Sequence, residues 1–111
     1  MLKRDQSLKN SDTISYVLRK GFFVKSKFFN IKYIKTSSNS FKQVVIISKK
    51  KYKQAVERNQ LRRRIKYILR KHNIHNLDIQ TTIIPKRYLD NISFQEIESD
   101  IKLAFSAIPT T

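Results

Sequence analysis

Apolar residues recur along the chain with two periods. Ile14, Val17 and Leu18 sit at helical spacing and Gly21 supplies a stop. A first helix is therefore predicted from Asp12 to Lys20, with Ser11-Asp12 as its cap. Phe22 to Lys35 is aromatic and β-branched. Alternation there puts Phe29, Ile31 and Tyr33 on one strand face and Phe28, Asn30, Lys32 and Ile34 on the other. The polar run Thr36 to Ser40 reads as a hairpin connection into a buried strand, Phe41 to Ser48. After a charged connector, Leu61, Ile65, Ile68 and Leu69 mark the apolar stripe of a helix from Ala55 to His72, which Asn73 to Asn76 ends. Asp78 to Ile84 reads as another strand, closed by Pro85. Ser93 and Glu96 have capping-box spacing, and Phe94, Ile97, Ile101, Ala104 and Phe105 define a last amphipathic helix. The tail from Ala107 is expected to fray. The predicted order is α-β-β-β-α-β-α, a single α+β sandwich domain over residues 1–111, with the second helix inside a strand–helix–strand unit.

Charge changes this picture most. The 111 residues carry 24 Lys and Arg against 8 Asp and Glu, a formal net charge of +16. Self-repulsion at that density disfavours the compact state, and a polyanion relieves it. Nucleic acid is the first candidate partner, because cations that neutralise phosphates release condensed counterions. An anionic membrane surface is the second. A skewed Lys-, Asn- and Ile-rich composition accounts for lysines but not for the group Arg58, Arg62, Arg63, Arg64 and Arg70. There is no cysteine, which excludes disulfides and thiolate zinc sites. The N-terminal residues lack an apolar signal core and Val44 to Ile47 is too short to span a bilayer, so a cytoplasmic protein without membrane association is expected.

Each candidate motif has a plainer counterpart. On the second helix, Asn59, Arg62, Arg63, Lys66 and Arg70 share the side opposite the apolar stripe, while Arg58 lies nearer the stripe and must reach around the helix. An ordinary surface helix intersperses acids, and here only Glu57 lies near the start. That favours a phosphate-binding face over a merely solvated one, with arginine adding bidentate geometry. Phe22, Phe23, Phe28, Phe29 and Tyr33 either pack the core or stack on unpaired bases. Lys32 and Asn30 suggest that the face shared with Phe28 is the wetter one. His72 and His75 lack the further ligands that zinc needs. Asp78, Asp90, Glu96, Glu98 and Asp100 are scattered, no serine stands in a nucleophile elbow, and Gly21 is the only glycine. No protein active site is expected.

The stretch from Ile47 to Arg63 resembles the signature of the bacterial ribonuclease P protein family. That signature has a small residue, a Lys-Lys pair, an alanine, Arg-Asn-Arg, an apolar residue and Lys-Arg at the opening of the second helix. Lys49-Lys50, Ala55, Arg58-Asn59 and Arg63 match it, and Arg62 keeps the charge of the lysine. Gly21, with Phe29 eight residues on, and the closing helix fit the wider pattern. Gln60 stands where the family usually has an arginine, Val44 where it often has glycine, and Ile14, Leu18 and Lys32 where relatives often place aromatic residues lining a cleft. The resemblance implies a ribosomal-protein-like α/β sandwich with a left-handed strand–helix–strand crossover. It also implies a role in 5′-maturation of precursor tRNA, with the chemistry carried by an RNA subunit. Its implied partners are ribonuclease P RNA and precursor tRNA, with no obligatory protein partner. No cofactor would be held firmly by the protein, and Mg2+ is expected in the RNA–protein holoenzyme. By the same resemblance, Lys49, Lys50, Arg58, Asn59, Arg62, Arg63, Lys66 and Arg70 would dock on the catalytic RNA. Ile14, Leu18, Phe28, Asn30, Lys32, Arg62 and Lys66 would line a cleft for the single-stranded 5′ leader. The alternatives are a structural, ribosomal-type RNA-binding protein, which leaves the motif unexplained, and a helix-turn-helix DNA binder, against which the flanking strands argue. A stand-alone nuclease would need clustered acids or histidines.

Overall fold

The computed structural model describes residues 8, 10–36, 41–74, 77–89 and 91–108. Within them lie helices α1 (Ser11–Lys20), α2 (Ala55–Lys71) and α3 (Phe94–Ser106), and strands β1 (Phe22–Val24), β2 (Phe29–Lys35), β3 (Lys42–Val45) and β4 (Ile79–Pro85). The strands form one mixed sheet in the order β1-β2-β4-β3. β1 and β2 are antiparallel, as are β2 and β4, while β3 runs parallel to β4. The expected strand–helix–strand unit is therefore β3-α2-β4.

The expected β2–β3 hairpin does not form, because β4 lies between those two strands. Ile79, Thr81, Thr82, Ile83 and Pro85 are all buried, so both faces of β4 are covered and it takes the centre of the sheet. A short polar loop is compatible with a hairpin locally, but burial of the later strand overrides it. Residues 37–40 lie outside the described residues.

Phe29, Ile31 and Tyr33 of β2 face α2 and α3, and join Leu61, Ile65, Ile68, Leu69, Ile97, Ile101 and Phe105 in the main core. The opposite face carries α1, which packs on β2 and β4. Cross-strand register places Phe23, Lys32, Thr82 and Val44 in one row on that face. Val17 of α1 and Thr82 beneath it are completely buried.

Three local expectations need correction. The cap of α1 is Asn10, one residue ahead of Ser11, and its side chain accepts from the Asp12 and Thr13 N–H groups at 2.9 and 3.2 Å. Phe28 does not share a face with Asn30 and Lys32. It precedes β2 in a bend, is buried in the main core, and donates its N–H to Asp100 of α3 at 3.0 Å. The tail does not loosen at Ala107, since Ile108 is buried in the same core; residues 109–111 lie outside the described residues.

Gly21 ends α1 by donating its N–H to the Val17 carbonyl at 2.8 Å. Its backbone is extended, so left-handed geometry is not what requires glycine. Close approach is: a Cβ there would collide with the Val17 carbonyl oxygen and come within 3.1 Å of the Tyr33 oxygen. Both are backbone atoms that cannot rotate away. Gly21→Ala is expected to lower stability by about 1–3 kcal/mol in denaturant unfolding, as overpacking does.

Candidate nucleic-acid interface

The apolar stripe of α2 fixes where its charges point. Leu61, Ile65, Ile68 and Leu69 are buried. At about 100° per residue, Gln60, Arg64, Tyr67 and Lys71 lie to one side of that stripe. That side meets α3 and the segment before it: the Tyr67 and Phe94 rings are 6.0 Å apart, and Lys71 lies 2.9 Å from Glu98. Gln60 and Arg64 line a cavity of about 190 Å³ with Tyr52, Tyr88 and Ile97. On the other side stand Asn59, Arg62, Lys66 and Arg70, with Arg63 next to them. Because α3 is tied to the β1–β2 end of the sheet, this second side looks out over β3, the edge strand. Arg62 is half-buried and the rest are exposed. Among the described residues the ion pair of α2 is that of Lys71 with Glu98, so the outward ridge carries none. Gln60 is not on this ridge.

Arg58 has a different task. Its Nη1 donates to the carbonyls of Tyr52 and Lys53 at 2.8 and 3.3 Å. It therefore folds back on the β3–α2 connector and pins the lysine run to the start of α2. Part of its hydrogen-bonding capacity is spent on the protein, although it remains partly exposed.

Lys49 and Lys50 are exposed in that connector. Tertiary contacts gather more cations there than the local sequence shows. Lys51 donates to the Lys86 carbonyl at 2.7 Å, and Lys86 donates to the Ser26 carbonyl at 2.8 Å. Arg87 and Lys27 both lie over the Phe28 ring, 5.9 and 5.3 Å from its centre. Three connections thus meet at one end of the sheet, each bringing lysine or arginine. Lys27, Lys51, Lys86 and Arg87 were not singled out from sequence, because only the sheet order brings residues 25–28, 48–54 and 86–89 together.

Four carboxylates of α2 and α3 are occupied. Asp100 accepts from Ser26 Oγ at 2.6 Å and from the N–H groups of Lys27 and Phe28 at 2.8 and 3.0 Å. Glu96 completes the capping box with Ser93. Glu57 accepts from the Tyr88 hydroxyl. Glu98 bridges Lys71 and His72, with His72 Nε2 at 2.7 Å. Among the described residues no group of three or more His, Asp or Glu could hold a metal ion. His72 thus has a structural partner, and His75 lies outside the described residues.

Hydrogen bonds from Lys71 and then His72 hold the Glu98 carboxyl below its ordinary value of 4.5. A depressed folded-state pKa contributes stability that is present above 4.5 and lost as pH falls through the folded value. The wild-type urea midpoint is expected to fall on acidification below about pH 4.5. Glu98→Gln should be less stable at neutral pH and show a shallower acid decline. An unchanged acid limb in that variant would remove the α2–α3 bridge from the acid response.

The α1 face gathers part of the second predicted set. Ile14 and Leu18 are half-buried on α1. Lys32 extends its ammonium to the Leu18 carbonyl at 2.6 Å, where a cation satisfies a free carbonyl at the helix C-terminus. Asn30 is exposed on the same side of β2. Arg62 and Lys66 belong to the layer on the opposite face and can reach this one only around the β3 edge. Phe28 is on the far side of the sheet from it.

A small α+β sandwich with an unpaired cationic ridge and a polycationic loop end defines a class: a single-domain binder of a polyanionic, phosphate-bearing partner. The comparisons place it within that class. The family model for ribonuclease P matches residues 2–108, and the chain belongs to that family. The fold is shared with the RNase P protein from Staphylococcus aureus, at a TM-score of 0.81 and 18% identity, covering 96% of this chain and 98% of that one. It is likewise similar to the RNase P protein from Thermotoga maritima, at 0.77 and 16% identity, covering 93% and 98%. None of the curated proteins matches the chain. Family and fold give the role of ribonuclease P protein subunit, an RNA-binding part in tRNA processing, and set aside the purely structural ribosomal-type alternative. Among the described residues no helix is long and apolar enough to cross a membrane.

Proposed function

We propose that the protein docks on a catalytic ribonuclease P RNA through Lys49, Lys50, Asn59, Arg62, Arg63, Lys66 and Arg70, and guides the 5′ leader of precursor tRNA along the α1 face. The observation that carries this reading is the α2 ridge, exposed at a sheet edge and free of ion pairs among the described residues. A rigid helix presents cations about 6 Å apart at i and i+4, and phosphate contacts give affinity without sequence preference. Arg58 acts here mainly by holding the connector lysines against the start of α2. The leader surface comprises Ile14, Leu18, Asn30 and Lys32, with Arg62 and Lys66 at its β3 margin. An extended single strand fits such a surface because its backbone can follow cations while its bases meet apolar side chains.

Bond cleavage falls to the RNA in this reading. Glu57, Glu96, Glu98 and Asp100 are each engaged by protein groups, so these four acids are ill-placed to hold the Mg2+ expected in the holoenzyme. What the protein supplies is charge neutralisation and orientation. Reconstitution with a bacterial ribonuclease P RNA at low magnesium tests it. The mixture should release the 5′ leader where RNA alone and protein alone do not. Tight RNA binding without rescue, cognate RNA included, would overturn the proposal.

A further inference from the structure

Two adjacent phenylalanines on β1 remain unexplained by the core. Phe22 and Phe23 are 62% and 59% exposed, on a strand where a buried ring would stabilise more. Strand alternation sends them to opposite faces. Phe22 pairs with Tyr33, and their ring centres are 5.5 Å apart on the side of α2 and α3. Phe23 pairs with Lys32 and stands on the α1 side.

The row Phe23, Lys32, Thr82, Val44 crosses the whole sheet from β1 to β3. Strands are about 4.8 Å apart, so Phe23 and Val44 are roughly 14 Å apart. Beyond Val44, around the β3 edge, stand Arg62 and Lys66. Along the face itself the apolar side chains are aliphatic: Ile14, Leu18, Val44 and Ile84, all half-buried. Phe23 adds an exposed ring at the β1 end, in cross-strand register with Lys32. Arg19 and Lys20, both exposed, close α1 just before it. An exposed aromatic ring on a basic face suits an unpaired nucleobase, whose flat face stacks on the ring while its phosphate meets the charge.

We infer that Phe23 is the stacking platform for one base of the 5′ leader, and that the leader crosses the sheet from the α2 ridge at β3 to Phe23 at β1. This rests on the leader reading above and adds the residue that holds a base and the direction of the strand. Phe22, on the other face, serves as an internal control.

The test uses holoenzyme reconstituted with ribonuclease P RNA and precursor tRNAs carrying 2-aminopurine at successive leader positions, with mature tRNA for comparison. Wild-type protein should quench the fluorescence of one or two adjacent leader positions. Phe23→Ala should relieve that quenching and weaken precursor binding about tenfold, within the range of base–aromatic stacking, with mature tRNA unaffected. Phe23→Leu, which keeps the apolar side chain and the fold, should behave like Phe23→Ala, whereas Phe23→Trp should retain quenching. Phe22→Ala should match wild type. Wild-type behaviour of Phe23→Ala and Phe23→Leu, or equal losses from Phe22→Ala, would overturn the assignment of the ring while leaving the leader reading intact. A wild-type protein that binds precursor and mature tRNA equally would overturn the leader reading and this inference with it.

Discussion

Asp100→Ala is expected to destabilise the protein by about 3 kcal/mol, the largest effect of any exchange of a single polar side chain, because charge-assisted hydrogen bonds to a partly buried carboxylate are lost together. The carboxylate accepts three hydrogen bonds from the turn before β2, and one donor is the N–H of buried Phe28. Ser26 in turn accepts from the N–H of buried Phe29 at 3.2 Å through the same hydroxyl that it donates to Asp100. Removing the carboxylate leaves the Phe28 N–H without that partner and frees the Ser26 hydroxyl, so a part-buried donor loses its acceptor. The effect should extend to the cationic end of the sheet, since Lys86 is bonded to the Ser26 carbonyl and Lys51 to the Lys86 carbonyl. Denaturant unfolding measures the stability loss, and Asp100→Asn should fall in between because it keeps one acceptor oxygen. A loss below about 1 kcal/mol for the alanine variant would mean that the turn is held by the Phe28 and Phe29 side chains alone.

Asp100 also shows where sequence reading stops. It lies seventy-two residues from Phe28, and nothing in the local pattern pairs them. Alternation correctly put Phe29, Ile31 and Tyr33 on a core face, because a regular strand has a period of two wherever its backbone is regular. It failed one residue earlier, at Phe28, where the Ser26–Asp100 contact bends the chain before the strand begins. The α2 stripe and its basic ridge were fully legible, since helical periodicity over seventeen residues leaves one way to bury Leu61, Ile65, Ile68 and Leu69. The capping box at Ser93 was legible for the same reason: it is a local bond pattern. Strand order was not. Whether β3 pairs with β2 or with β4 depends on which strand is buried on both faces, and a polar loop carries no information on that. Arg58 illustrates the limit for function. Its residue type and its place in the motif pointed to RNA, while its first bonds are to the connector carbonyls.

The ridge carries the largest functional prediction. Arg62→Ala, Lys66→Ala and Arg70→Ala combined should weaken binding to ribonuclease P RNA about a hundredfold at moderate salt, since three charge-assisted phosphate contacts would be lost. Binding should also become less salt-sensitive: the slope of log affinity against log salt falls by about 0.7–0.9 for each phosphate contact removed. Both readouts are needed, because a folding defect would lower the active fraction without changing the slope. Folding should hardly suffer. Lys66 and Arg70 are exposed, Arg62 is half-buried, and among the described residues none of them is in an ion pair. Removing three of many like charges should even relieve some self-repulsion in the free protein. The matching exchange on the other side of the helix, Gln60→Ala with Arg64→Ala, touches residues turned toward the Tyr52, Tyr88 and Ile97 cavity and should leave most of the affinity and slope in place. If the two sets of substitutions weaken RNA binding equally, affinity follows total charge rather than placement, and the ridge loses its special status. If only the ridge set does so, the geometry of α2 at the β3 edge decides where the RNA lies, and the leader path across the α1 face starts from a fixed anchor.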